Sequence, residues 1–178
     1  MKISPRKLAK LEDYYSGYLE GEKLDEFLRD FDIKFACGHW AAGDFLDRFA
    51  TQGYWPNLDS SLEAQLERIA KAGVKGVELQ DFLFLDKDMR VREDTVSRFR
   101  ELLERYGLTP TTMGLNLYTN PMWKMGSVTN PKREVREKAL EMLLNAVDLA
   151  KTIGCETVSF WPGQDGWDYN FEANYGKQ

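Results

Sequence analysis

Histidine occurs once in this 178-residue sequence, as His39 in Gly38-His39-Trp40. An imidazole titrates near neutrality, so directly after the apolar run IKFAC it is a candidate general acid–base and equally a hydrogen-bonded rim residue. Any histidine-dependent triad or histidine-rich metal site is limited to that one side chain. Gln80-Asp81 follows the apolar VKGVEL. A carboxylate there can orient a base, bind a hydroxyl, touch a metal or cap a turn. Asn116 and Asn120 lie in NLYTNP, where amide side chains can both donate to and accept from hydroxyls, although Asn-Pro is also an ordinary loop dipeptide. Trp161-Pro-Gly-Gln164-Asp-Gly carries glycines that suit a tight backbone path near a ligand, or simply a turn. All five tryptophans (Trp40, Trp55, Trp123, Trp161, Trp167) fall in or at the start of segments of this kind. They suit stacking on apolar sugar faces, packing over a barrel mouth or a subunit contact. The residues expected to contact substrate are His39, Trp40, Gln80, Asp81, Asn116, Tyr118, Trp161 and Gln164, with His39 and Asp81 as the catalytic candidates.

The elements that must position them repeat. Three times an amphipathic helix ends at a glycine and an apolar strand follows: LEAQLERIAKAG then VKGVELQ, VSRFRELLERYG then LTPTTMGLNL, and VREKALEMLLNAVDLAKTIG then CETVSFW. Gly73, Gly107 and Gly154 stand where a helix C-terminus takes a left-handed residue. A first strand is expected at Ile33–Cys37, and the strand spacing is that of βα units. Leu62, Leu66 and Ile69 share one helical face, as do Val96, Phe99, Leu103 and Tyr106, and Val135, Ala139, Leu143, Ala146 and Ala150. Ser60 with Glu63 reads as a capping box, and Asn130-Pro131 as an N-cap followed by the first helical residue. Helix-to-strand turns are short and strand-to-helix connections long. Parallel α/β folds bind ligands in the latter, at the strand C-termini. Residues 1–32 read as a charged, aromatic-bearing helical extension, and 33–178 as the parallel α/β part.

Composition removes several classes. Lys plus Arg is 24 against 29 for Asp plus Glu, a net charge of −5, which disfavours nucleic acid as a partner. No apolar run reaches the roughly 18 to 20 residues of a membrane helix, and no signal peptide is expected, so a cytoplasmic protein is. Cys37 and Cys155 are too few for a disulfide scaffold or a cysteine-rich zinc site. No G-x-G-x-x-G opens a helix after a strand, and neither a P-loop nor a nucleophile elbow occurs.

GLNLYTNPMWKMGSVTNPKREVREKALEMLLNAVDLAKTIGCETVSFWPGQDG resembles the xylose isomerase stretch with N-L-F-T-x-P, an x-x-R-x-V-R-x-x-A helix and a strand ending W-G-G-R-E-G. KFACGHWAAGD is similar to that family's first strand and AKAGVKGVELQD to its second. The resemblance, over about residues 33–178, is to the xylose isomerase-like TIM-barrel superfamily. It implies a (β/α)8 barrel of which this chain carries the first four βα units. It implies aldose–ketose isomerisation or epimerisation, with Trp40, Tyr118 and Trp161 as aromatic walls against the sugar. It also implies a divalent metal (Mg²⁺, Mn²⁺ or Co²⁺) whose ligands follow strands five to eight and so lie outside this chain. A C-terminal half-barrel or second chain, and a homo-oligomer by family analogy, are the implied partners, with no nucleic acid and no membrane. Two positions depart: Gln80 and Leu83 stand where xylose isomerases carry the ring-opening histidine and its supporting aspartate. Glutamine is no base near neutral pH. Either His39 helps from the neighbouring strand or the sugar is bound already open. The alternatives are a non-catalytic sugar-binding or structural half-barrel, and the endonuclease IV branch, which the single histidine and negative charge disfavour.

Overall fold

The structure is a computed structural model that describes residues 4–44 and 49–162. The chain divides into two compact units, Met1–Phe35 and Ala36–Gln178. The first holds helices α1 (Pro5–Tyr14) and α2 (Gly21–Asp30). α1 begins where Ser4 Oγ accepts from the Lys7 N–H and Pro5 supplies a preset φ. Tyr15 meets Phe27 and Phe31 edge-on, and the Tyr14 and Tyr15 hydroxyls donate to Glu26 and Asp30 at 2.8 and 2.6 Å. The bond to Asp30 pushes the Tyr15 phenol up to about 12, because ionisation would set an anion against the carboxylate.

The second unit is built on a four-stranded parallel sheet in the order β1 (Ala36–Gly38), β2 (Gly76–Gln80), β3 (Thr109–Asn116), β4 (Thr157–Trp161). Helices α3 (Leu62–Lys71), α4 (Glu93–Tyr106) and α5 (Arg133–Ile153) connect them. The fold class is therefore the α/β, parallel-sheet class expected. Gly73, Gly107 and Gly154 all have positive φ (79°, 61° and 96°) just past the three helices.

β2 alternates from Val77 onward, whereas the last four residues of β3 are all buried. Val77, Leu79 and Met113 are fully buried against the helices, where they meet Leu66 and Ile69 of α3, Val96 and Phe99 of α4, and Ala139 and Ala146 of α5. Each Val, Leu, Ile, Met or Phe side chain among these contributes about 1.5–3 kcal/mol by leaving water. The intervening residues of β2, Glu78 and Gln80, face the other side of the sheet. One irregularity adjusts the register: Val77 pairs with Pro110 but Glu78 with Thr112. The extra residue, Thr111, donates its hydroxyl to Val77 O at 3.2 Å.

Three local expectations are corrected. The first strand is Ala36–Gly38 and not Ile33–Cys37. The Ile33 N–H is committed to closing α2, bonding Leu28 O at 2.9 Å after a left-handed Asp32, and Phe35 remains 61% exposed. The cap of α3 is Ser61, whose Oγ accepts from the Ala64 N–H, while Ser60 Oγ accepts from the Asp44 N–H. α5 starts at Arg133. Asn130 instead closes the preceding turn, accepting from the Lys132 N–H and donating to Gly126 O.

Gly107 has open space where a Cβ would stand, so its positive φ is the only obstacle to a side chain. Gly107→Ala is expected to lower the unfolding free energy by about 1–2 kcal/mol with an unchanged urea m-value. A loss below a few tenths would show that the left-handed cap is dispensable.

Candidate active site at the strand C-termini

Successive strands set inward-facing residues side by side. Gln80 registers with Gly114, Gly114 with Ser159, and Asn116 with Trp161. Together with Glu78 they line a cavity of about 410 Å³ whose walls are Trp40, Phe82, Tyr118 and Trp161. Two glycines shape it by lacking a Cβ. The Trp40 indole lies over Gly38, where a Cβ would fall 2.5 Å from the ring. The Gln80 amide lies across Gly114, where a Cβ would fall 2.6 Å from Nε2. Gln80 Oε1 is buried and has no hydrogen-bond partner. Tyr118 and Trp161 tilt against each other with centroids 5.2 Å apart, and both rings are exposed on the cavity side of the chain's surface.

Asn116 fixes the loop that carries Tyr118. Its Oδ1 accepts from the Tyr118 and Thr119 N–H groups and the Thr119 hydroxyl, at 3.3, 3.1 and 2.9 Å. The acceptor end is thereby used, and the donor capacity of the side chain resides in its amide N–H₂. Asp81, only 2% exposed, stands behind this wall. It accepts the Asn116 N–H at 3.0 Å and so ties the end of β2 to the end of β3. Burial raises its carboxyl to about 6, against the lowering effect of hydrogen bonds from the Asn116, Phe82 and Asp81 amides. Burial, and then the Asp81 charge, raises the Tyr118 phenol.

His39 opens the turn after β1 and is 4% exposed. Gln65 donates Nε2–H to Ser60 O at 2.7 Å, which turns its Oε1 toward His39 Nδ1 at 2.8 Å. Nδ1 is therefore the protonated nitrogen, and Nε2 is buried without a partner. Burial lowers the imidazole's affinity for a proton, with the Gln65 bond acting the other way, so the ring is neutral near pH 7. It packs edge-on to Trp40 and near Phe82, at 5.3 and 6.2 Å between centroids.

The structure thus brings Trp40, Gln80, Asn116, Tyr118 and Trp161 to one cavity. His39 and Asp81 sit behind its walls, outside the lining. Gln164 lies outside the described residues, as do Asp165 and Trp167. Glu78, Thr119 and Ser159 line the cavity without having been singled out in the sequence. The two-residue period of VELQ carried the signal for Glu78: whatever face holds Gln80 also holds residue 78.

A family profile described as xylose isomerase-like TIM barrel matches residues 66–176. The chain belongs to that family. Xylose isomerase of Thermus thermophilus is 32% identical over 131 residues, covering 63% of this chain and 34% of the relative. The chain therefore spans about a third of that curated relative's length. A solved structure of D-psicose 3-epimerase in the presence of D-fructose superposes with a TM-score of 0.53 over 80% of this chain and 41% of the other. At 11% identity that likeness speaks to the fold alone. Within the family fold, the cavity stands at the strand C-termini, where such barrels place their sites. Among the described residues no group of three or more His, Cys, Asp or Glu side chains is arranged to hold a metal ion. No described helix is long and apolar enough to cross a membrane.

The Asp81 carboxyl has a pH consequence with a definite sign. Its folded pKa of about 6 lies above the ordinary 3.8, so the folded state holds the proton more tightly. Stability from this group is full below about pH 4 and is lost as pH rises through 6, a contribution of order 3 kcal/mol at most. The unfolding free energy of the wild type minus that of Asp81→Asn is expected to fall between pH 4 and 6 and to level off above. A difference flat across that window would mean Asp81 is not buried as described.

Proposed function

We propose that the chain is the N-terminal half of a divalent-metal-dependent sugar isomerase or epimerase, cytoplasmic, interconverting aldose and ketose. The carrying observation is the cavity at the strand C-termini, with Trp40, Tyr118 and Trp161 around a polar floor, in a chain of the xylose isomerase-like family. Flat aromatic faces suit the C–H faces of a sugar, and polar groups between them suit its hydroxyls. Trp40, Tyr118 and Trp161 hold the ring or chain of the sugar. Gln80 offers an acceptor and Asn116 a donor, and Gln164 is a further contact proposed on sequence grounds alone.

His39 and Asp81 serve the reaction by position. His39 backs Trp40 and Phe82, and Asp81 holds β2 and β3 in step so that Asn116 and Tyr118 face the ligand. The buried Nε2 of His39 favours a sugar taken already open over ring opening by this imidazole. Among the described residues no group fits a metal; by the family resemblance its ligands are assigned to a C-terminal half-barrel, either a continuation of the chain or a second polypeptide. Once supplied, such an ion polarises carbonyl and hydroxyl oxygens.

A panel of aldoses and ketoses, assayed on the purified particle with and without EDTA and paired with its native and denatured mass, tests this reading. Conversion is expected only where the mass includes the second half, with EDTA abolishing it and Mn²⁺, Mg²⁺ or Co²⁺ restoring it. Trp161→Ala is expected to weaken sugar binding by about tenfold while the fold persists, in line with the roughly 1–3 kcal/mol that aromatic contacts carry. Full turnover in EDTA removes the metal-dependent reading. Sugar bound but never converted by the complete assembly leaves a binding protein.

A further inference from the structure

Two side chains of α3 hold both ends of the long connection that leads to it from β1. Gln65 donates Nε2–H to Ser60 O at 2.7 Å and presents Oε1 to His39 Nδ1 at 2.8 Å. Arg68, almost one turn further along the helix, donates to Ala42 O and to Asp59 O. His39 and Ala42 belong to the turn after β1, whereas Asp59 and Ser60 come just before the Ser61 cap of α3. The Asp44 N–H, donated to Ser60 Oγ at 2.7 Å, joins the same two ends directly. Gly43 passes so close to the Gln65 amide that a Cβ there would fall 2.8 Å from Nε2.

The Gln65 amide has one workable direction. Reversed, its oxygen would face the Ser60 carbonyl oxygen, two acceptors with no hydrogen between them. The amide thereby decides which nitrogen of His39 carries the proton, and the bond holds the plane of the ring. That ring is buried and meets Trp40 edge-on, with centroids 5.3 Å apart. The Trp40 indole lies over Gly38 and lines the cavity. Aromatic pairs of this kind favour a narrow set of angles, so a turn of the imidazole is passed to the indole.

We propose that Gln65 is a positioning residue for the aromatic wall: by binding Ser60 O and His39 Nδ1 together it fixes the plane of the imidazole and, through it, the pose of Trp40 toward the ligand. The inference goes beyond the sugar-site reading and rests on it only for the effect on affinity. Arg68 still ties the two ends of the connection when Gln65 is replaced, so the loss of Gln65 is read at Trp40 and not as unfolding.

Fluorotryptophan labelling gives five fluorine resonances in this chain, and Trp40→Phe assigns the one from Trp40. Gln65→Leu removes both bonds, and is expected to shift or broaden that resonance while leaving the others in place. As the only histidine, His39 gives one pair of ring nitrogen signals. They should show a protonated Nδ1 and a bare Nε2 near pH 7 in the wild type, and a mixture of tautomers in Gln65→Leu. Gln65→Glu keeps an acceptor for the Nδ1–H and should return the Trp40 resonance toward its wild-type position. With D-xylose and D-fructose as probes of the same purified particle, Gln65→Leu is expected to weaken binding about fivefold, the scale of one lost hydrogen bond. In a Trp40→Ala background the same substitution should change nothing further. Melting curves reveal a misfolded variant, for which Gln65→Met stands in. An unmoved Trp40 resonance in folded Gln65→Leu, or a loss of affinity that persists in the Trp40→Ala background, overturns the role of Gln65 and leaves the sugar site standing. Binding of neither sugar by the wild type, with the resonances behaving as stated, overturns the sugar reading and leaves Gln65 as the residue that positions Trp40.

Discussion

The two-residue period of β2 is the constraint on which the unit turns. A parallel strand between two neighbours has both faces covered or put to use, and here the faces are divided. Val77 and Leu79 are sealed against the helices, while Glu78 and Gln80 are held toward the cavity. Neither set can move without the other, because a slip of one residue would drive a carboxylate into the apolar core. The bulge at Thr111 and the Asp81 bond to the Asn116 amide fix the pairing of β3 to that register from both ends of β2.

Polar groups that look catalytic by type divide into those that meet the cavity and those that hold it in place. Asp81 and His39 are the most buried titratable groups near the site, and each is engaged by protein atoms on one side: Asp81 by backbone amides, His39 by Gln65. In the lining, by contrast, Glu78 is half-buried and Gln80 Oε1 has no hydrogen-bond partner. Asn116 stands between the two groups, lining the cavity while its oxygen builds the loop.

The sequence was readable where one physical rule acts alone. The three helices, their glycine ends and the apolar stripes follow from periodicity and from the left-handed cap, and the rim residues Trp40, Gln80, Asn116, Tyr118 and Trp161 follow from strands ending where loops begin. It was less readable where two rules compete for the same atoms. Ile33 and Phe35 are apolar enough for a strand, yet the Ile33 amide goes to the end of α2. Ser60 and Ser61 are both good caps, and only the partner of Ser60 in the Asp44 loop decides between them. The burial of His39 depends on Gln65, twenty-six positions away, and no local pattern carries that information. Glu78 gives little local signal, because a lone carboxylate in an apolar strand reads as a solvated position beside the polar pair that follows it.

Gly114 has an implication for how such a site changes over time. Its missing side chain is the space in which the Gln80 amide rests, so the two positions form a matched pair across neighbouring strands. A methyl group at 114 would evict that amide into the cavity and fill part of it, with Val77, Leu79 and Met113 untouched on the opposite face. Recognition and folding are thereby written on different sides of one sheet. A lineage built this way can exchange one ligand for another through single steps on the inner face, at little risk to the scaffold that presents them.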